Sequence, residues 1–100
     1  MEKLKILLDL RRLLLSMERE LGLDDLSGPE LDIFLAAQSL TSKCGEVVTS
    51  SNIRGHDLVK SFAPATYHRA LKHLVELGLL RKAPGAKAKS YIVSEEVFGA

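Results

Sequence analysis

The first apolar pattern of the chain runs through residues 3–21. Leucine, isoleucine and methionine recur there at spacings of three and four, which is the period of an amphipathic helix. At about 100° per residue, the apolar side chains cover more than half of the helix circumference, a wider stripe than one neighbour covers. Gly22 follows as a typical helix end. We therefore predict a helix that packs on its own domain and also on a second partner.

Two charges interrupt this apolar arc near its middle. Arg11 and Glu18 are seven residues apart, so they lie on one line along the helix, two turns from each other. In an antiparallel pair centred between residues 14 and 15, Arg11 of each copy faces Glu18 of the other, whereas a parallel pair sets like charges side by side. The alternative is that residues 3–21 fold back on their own domain and both charges point to solvent. The predicted homodimer interface consists of Leu7, Leu10, Arg11, Leu14, Met17, Glu18 and Leu21.

A second helix is indicated at roughly residues 29–41. Ser27, Pro29 and Glu30 have the spacing of a capping box with proline in the first turn of the helix. The side chains of this helix available to a core are Leu31, Phe34, Leu35 and Leu40.

The clearest helix pattern is APATYHRALKHLVELGLLRK, at residues 63–82. Pro64 suits a first helical turn, Gly78 suits the residue after a helix end, and Ala63 offers no side-chain cap. The face that we expect to be buried consists of Tyr67, Ala70, Leu71, Leu74, Val75 and Leu77. The outer face consists of Ala65, Thr66, His68, Arg69, Lys72 and His73.

Short segments around these helices predict small elements. Residues 47–49, VVT, suit a very short strand, and a short helix is expected from about Ser51. After the fourth helix, strand-like residues at 79–80 and 91–93 flank APGAKAK, which has the composition of a turn. A β-hairpin is therefore predicted, and the lysines at its tip are Lys82, Lys87 and Lys89.

These elements predict a fold that is mainly α with a small β-hairpin, in the α+β class. With 100 residues the chain has room for one domain, and its 46% hydrophobic residues are sufficient for a core. The predicted organisation is a dimerisation helix at 1–22, a domain at 28–93 and a frayed tail at 94–100.

Charge is distributed unevenly along the chain, although the formal net charge is only +1. Residues 1–53 contain six Lys/Arg and nine Asp/Glu, a net charge of −3, whereas residues 54–89 contain eight Lys/Arg and two Asp/Glu, a net charge of +6. The basic segment could face a polyanion, or it could be an ordinary solvated surface.

Residues 64–80, PATYHRALKHLVELGLL, resemble the recognition helix of winged helix-turn-helix proteins and its exit into the wing. The resemblance extends over about residues 28–93 and is greatest to small MarR-like bacterial or archaeal regulators. It implies a winged helix that binds double-stranded DNA sequence-specifically to regulate transcription. Combined with the N-terminal helix and the homodimer that the apolar arc of residues 3–21 predicts, this gives a homodimeric winged-helix protein with an extra N-terminal helix. The alternative is a winged-helix module that binds protein and not DNA.

The resemblance also implies roles for individual residues. Thr66 would bond a phosphate or a base edge, Arg69 would bond guanine, and Lys87 and Lys89 would reach a flanking groove or phosphates. The residues expected to contact DNA are Ala65, Thr66, His68, Arg69, Lys72, Lys82, Lys87 and Lys89.

Other chemistry is not indicated by the sequence. His56, His68 and His73 lack metal-ligand spacing, the single cysteine, Cys44, has no resolving partner, and Asp24–Asp25 suits a solvated loop. No nucleophile–base arrangement and no phosphate-binding glycine loop is apparent, so we expect neither an enzyme nor a bound cofactor or metal. A small-molecule effector is neither indicated nor excluded.

Cysteine usage and hydropathy bear on the compartment. One cysteine precludes an internal disulfide framework, which fits a reducing cytoplasm. No segment approaches the ~18 consecutive apolar residues of a membrane span. The first residues carry the charges of Glu2, Lys3, Lys5 and Asp9, which are not typical of a signal peptide. We therefore predict a cytoplasmic protein without a membrane partner.

Overall fold

Four helices and a three-stranded sheet form an α+β fold in the computed structural model, which describes residues 1–43, 45–85 and 89–94. The helices are α1 (Glu2–Glu20), α2 (Gly28–Ser39), α3 (Ser50–Arg54) and α4 (Pro64–Glu76). The strands are β1 (Val47–Thr49), β2 (Leu80–Lys82) and β3 (Ser90–Val93). Each predicted helix and strand is confirmed, with boundaries that differ by one or two residues.

The sheet is antiparallel, with strand order β1-β3-β2. Strands β2 and β3 form the predicted hairpin, in which Arg81 lies opposite Ile92. The position of β1 on the other side of β3, where Val48 faces Tyr91, was not predicted. The tail predicted to fray at 94–100 lies outside the described residues except for Ser94. That residue continues the pairing, because its N–H donates to the carbonyl of Leu79 over 2.9 Å.

The core lies between α2, α4 and the sheet. Tyr67 and Leu74 are almost completely buried, which confirms the predicted inner face of α4, and Leu71 and Ala70 lie beside them. From α2 the core receives Phe34, as predicted. The other described side chains that are essentially inaccessible to solvent are Ile33, Ala36, Ala37, Ile53, Val59, Leu80 and Val93.

Three leucines expected in the core are exposed instead. Leu35 is 40% exposed, Leu40 38% and Leu77 50%. Leu35 lies about 200° around the helix from the buried Ile33, so it points away from the face that packs. Leu40 and Leu77 are the C-cap residues of α2 and α4, where the chain leaves the helix. The periodic pattern treated Leu40 and Leu77 as helical positions, and that assignment was wrong.

The molecule is elongated, with dimensions of 52 × 29 × 23 Å along its principal axes, and α1 is its most exposed helix. None of the side chains of α1 is buried against the described residues. Its large apolar side chains from Leu4 to Met17, together with the C-cap Leu21, are 41–62% exposed. Among the residues that the structure describes, α1 therefore neither packs on its own domain, which was the expectation, nor folds back on it, which was the alternative. Within the described ranges, no helix is both long enough and apolar enough to cross a membrane.

Both long amphipathic helices end in the same glycine-dependent turn. Gly22 (φ 73°) and Gly78 (φ 79°) adopt the left-handed conformation that residues with a Cβ rarely adopt. Beyond α1 the Leu23 N–H donates to the Glu18 carbonyl over 2.7 Å, and the corresponding bond after α4 is 3.1 Å long. This is the Schellman arrangement, and Leu23 then enters the core at 3% exposure.

The predicted capping box of α2 is present and also connects α2 to α4. The Ser27 N–H donates to the Glu30 carboxylate over 2.9 Å, and the Glu30 N–H donates to the Ser27 hydroxyl over 3.3 Å. The same carboxylate contacts Nδ1 of His73. Burial raises the pKa of Glu30, but the bonds from Ser27 and the contact with His73 outweigh it and hold that pKa below its usual value. His73 therefore faces α2 and does not belong to the free outer face on which the sequence placed it.

Acid should remove this contribution of Glu30 to stability. Because the folded-state pKa is below the ordinary 4.5, the stabilisation is complete above pH 4.5 and is lost as the pH falls through the folded-state value. We expect Glu30→Gln to lower the free energy of unfolding at pH 7 by about 1 kcal/mol, since it keeps an acceptor for Ser27 and loses the charge. Between pH 4.5 and 3 it should lose less stability than the wild type. Glu20→Gln, at the exposed end of α1, is the matched control for urea unfolding. Equal acid losses in wild type and Glu30→Gln would contradict this account.

Candidate nucleic-acid interface

The outer face of α4 presents most of the residues that the sequence assigned to a site. Ala65, His68, Arg69 and Lys72 are exposed, while Thr66 is half-buried. At 100° per residue, Ala65 and Arg69 lie on the side of α4 opposite the buried face, and His68 and Lys72 lie on the flank towards the hairpin. The arrangement follows from the anchoring of the helix, because the inner face is fixed by large buried side chains. Arg69 and Lys72 are thus exposed cations of α4 that project away from the core.

The N-terminal end of α4 has proline in its first turn and no side-chain cap. Ala63 is the N-cap residue, in an extended conformation, and Pro64 follows it. A serine or threonine at the N-cap would accept a hydrogen bond from an N–H group of the first turn, and Ala63 cannot do so. The N-terminal partial positive charge of the helix is consequently not offset by a capping oxygen from this residue.

An open groove separates α4 from the hairpin. Its volume is 620 Å³, and its lining includes Lys72 on α4 and Lys82 and Lys89 on the hairpin side. Glu76 is the acidic residue of the lining. Apart from these charged groups, the lining consists of His68, Leu71, Val75, Ala83, Ser90 and Tyr91. The groove therefore gathers three lysines from two elements that are separate in sequence. Lys87, also assigned to the site, lies outside the described residues, as does Cys44.

Arg54 fixes the loop that leads into α4, a role that sequence reasoning missed. Its guanidinium donates to the Val59 carbonyl over 3.1 Å and to the Phe62 carbonyl over 2.5 Å. It also lies 5.1 Å from the centre of the Tyr67 ring, which is a cation–π contact. No pattern in the sequence distinguishes this arginine from the exposed ones, because its acceptors are backbone carbonyls. Arg54 belongs to the basic segment, yet its charge is used inside the fold.

The Tyr67 hydroxyl continues this network towards the sheet. It lies 2.7 Å from the hydroxyl of Ser50 and donates to the Ser50 carbonyl over 3.2 Å. Burial raises the pKa of Tyr67, although the hydrogen bond with Ser50 and the nearby Arg54 oppose that shift. In turn the Ser50 N–H donates to the Lys89 carbonyl over 2.8 Å. The start of α3, the start of β3 and the first turns of α4 are therefore held together.

The three histidines have separate environments. The Leu58 N–H donates to Nδ1 of His56 over 3.1 Å, so the ring proton of neutral His56 is on Nε2, where it faces the Ser39 hydroxyl at 3.1 Å. His68 packs edge-on against Tyr67 and lines the groove. Among the described residues, no group of three or more His, Cys, Asp or Glu side chains is placed to hold a metal ion.

Comparison with known proteins gives no match to any family model, curated protein or solved structure.

Proposed function

We propose that this chain is a winged helix-turn-helix protein that binds double-stranded DNA and regulates transcription. The observation that carries the proposal is the single basic face formed by the outer side of α4 and the hairpin, with the lysine-lined groove between them. The order of α2, α3 and α4 before the β2–β3 hairpin, and the pairing of β1 with β3, are consistent with a helical unit followed by a wing.

In this proposal, the positions of the cations give Arg69 and the lysines different roles in DNA binding. Arg69 projects from the middle of the outer face of α4, where a helix lying in the major groove brings its side chains to base edges. Lys72, Lys82 and Lys89 flank the groove at the side of the helix, where phosphates of the DNA backbone would pass. Arg69 is then the residue for sequence discrimination, and the three lysines supply affinity for any duplex.

The first test is the salt dependence of binding to mixed duplex DNA. Each neutralised phosphate releases counterions, so the logarithm of affinity should fall linearly with the logarithm of salt concentration, and Lys89→Ala should reduce the slope by about 1. Arg12→Ala, which removes one positive charge from the exposed polar side of α1, is the matched control and should leave the slope unchanged. A wild-type chain that fails to bind duplex DNA even at low salt would favour the alternative, a protein-interaction module.

The second part of the test concerns sequence choice. A preferred site is first selected from a random DNA pool, and Arg69→Ala is then expected to cost about 1–3 kcal/mol at that site and to relax base preference at one position. Lys89→Ala should weaken preferred and random duplexes by the same factor. If Arg69→Ala changed neither affinity nor preference, the face of α4 assigned to DNA would be wrong.

A further inference from the structure

The apolar arc of α1 has no partner among the described residues of the chain. Helices in proteins derive most of their stability from tertiary packing of an apolar face and not from intrinsic helix propensity. In α1 the side chains that should supply this packing are 41–62% exposed, and no α1 side chain is buried against the described residues. A solvated surface does not account for the pattern, because apart from Arg11 and Glu18 the polar residues from Lys5 to Glu20 lie on the opposite side of the helix.

The arc contains a two-helix seam. Leu7, Leu14 and Leu21 recur every seven residues, and Leu10 and Met17 follow the first two of them by three. This is the spacing of the two core positions in a helix pair. Arg11 and Glu18 each come one residue after the second core position, so they lie along one border of the seam. The pattern fits another helix of similar length better than a globular surface.

The charges of Arg11 and Glu18 indicate which helix pairs with α1. Seven residues separate Arg11 and Glu18 by about 10.5 Å along the axis, too far for them to pair within one helix. Neither of them takes part in an ion pair within the described part of the chain. We propose that α1 binds α1 of a second copy of this chain in an antiparallel arrangement, with Arg11 of each copy facing Glu18 of the other. Because such a pair is two-fold symmetric, it contains two equivalent Arg11–Glu18 ion pairs and requires no residue from any other protein.

Other binding partners for the apolar arc, a lipid surface or a parallel helix, fit the charges of Arg11 and Glu18 less well. A lipid surface would receive the same leucines, but it would place a guanidinium and a carboxylate within the inserted arc without a partner for the carboxylate. A parallel pair would bring Arg11 next to Arg11 and Glu18 next to Glu18. The antiparallel pair is the arrangement in which both charges are neutralised by this sequence alone.

The turn after α1 connects the proposed pairing helix directly to the core of the domain. Gly22 stops the helix with the Schellman turn, and Leu23 enters the core immediately afterwards. Two copies joined through α1 would therefore hold two domains about one two-fold axis, and their two α4 faces would be related by the same axis. The association does not depend on DNA binding, so its test is performed without DNA and can fail or succeed separately.

The test is the mass of the full chain in solution, measured by sedimentation at tens of micromolar. We expect two chains per particle, a dissociation constant that rises at least tenfold in Arg11→Glu, and recovery when Glu18→Arg is added. Arg12→Glu makes the same charge change one residue away on the exposed polar side, and it should leave the dissociation constant within about twofold of the wild type. Far-ultraviolet circular dichroism at matched concentration confirms that each variant is folded.

Each other result would overturn the proposal. A monomer at tens of micromolar would show that α1 does not pair, and four chains per particle would replace the two-helix interface. A dimer that responds equally to Arg11→Glu and Arg12→Glu, or one not restored by the double exchange, would contradict the antiparallel contact of Arg11 with Glu18.

Discussion

Replacement of Leu74 by alanine is expected to lower the free energy of unfolding by about 2–5 kcal/mol, the range for removing a large buried aliphatic side chain. Leu74 is 0% exposed and lies on the inner face of α4, which packs on α2. Domains of this size have total stabilities of about 5–15 kcal/mol, so the loss takes a large fraction of the whole. The measurement is urea unfolding followed by circular dichroism, at one fixed protein concentration because association would shift the midpoint.

Leu77→Ala is the matched control for this prediction. It removes the same atoms from a leucine three residues farther along, but Leu77 is the C-cap residue of α4 and is 50% exposed. Its change should stay within about 0.5 kcal/mol, as for most surface substitutions. Equal losses in the two variants would mean that α4 is rotated relative to the core, and the assignment of Arg69 to the outer face would be wrong with it.

Replacement of Arg54 by methionine is expected to lower the free energy of unfolding by about 2–3 kcal/mol. Two hydrogen bonds from a charged donor are lost; the Phe62 carbonyl loses the guanidinium, and the Val59 carbonyl keeps only its bond from the Phe62 N–H. Amide hydrogens of the loop between Arg54 and Pro64 should also exchange faster, since the guanidinium no longer ties this loop together. If the proposed DNA interface is correct, affinity falls as well, because the loop positions the first turn of α4.

Two further variants separate geometry from charge in this loop. Lys60→Met removes a positive charge of the same loop, but Lys60 pairs only with the exposed Asp57 over 3.3 Å, so its effect should stay within about 0.5 kcal/mol. Arg54→Lys keeps the charge, yet one ammonium cannot reproduce the fork that reaches both carbonyls. Full stability in Arg54→Lys would show that the positive charge matters and the two directed bonds do not.

Local signals in the sequence were sufficient for the helices and their ends. The bonds that stop α1 and α4 join residues within five positions of each other, and the capping box joins Ser27 to Glu30. Periodicity also identified the inner face of α4, because Tyr67, Ala70, Leu71 and Leu74 follow the helical repeat. It failed at Leu35, which lies on the outer side of α2, and at Leu40 and Leu77, where the helix has already ended and the repeat no longer determines direction.

Contacts between segments that are distant in sequence could not be predicted from these local signals. His73 and Glu30 are 43 positions apart, and nothing in either segment refers to the other. The pairing of β1 with β3 and the contact of Arg54 with the Phe62 carbonyl likewise depend on how elements pack. For the candidate site, the exposed cations of α4 could therefore be predicted, but the groove that brings Lys72 together with Lys82 and Lys89 could not. The DNA-contact residues and the homodimer stay predictions until they are measured.

Separation of α1 from the core has an evolutionary consequence. Substitutions along the helix leave the packing of the domain intact, since no α1 side chain is buried against the described residues. Selection on that helix acts through whatever it binds, and selection on the core acts through folding. If α1 pairs as proposed, then after a gene duplication one copy can acquire a new pairing preference by exchanging the charges at positions 11 and 18, while its domain keeps the ancestral fold and its own surface specificity.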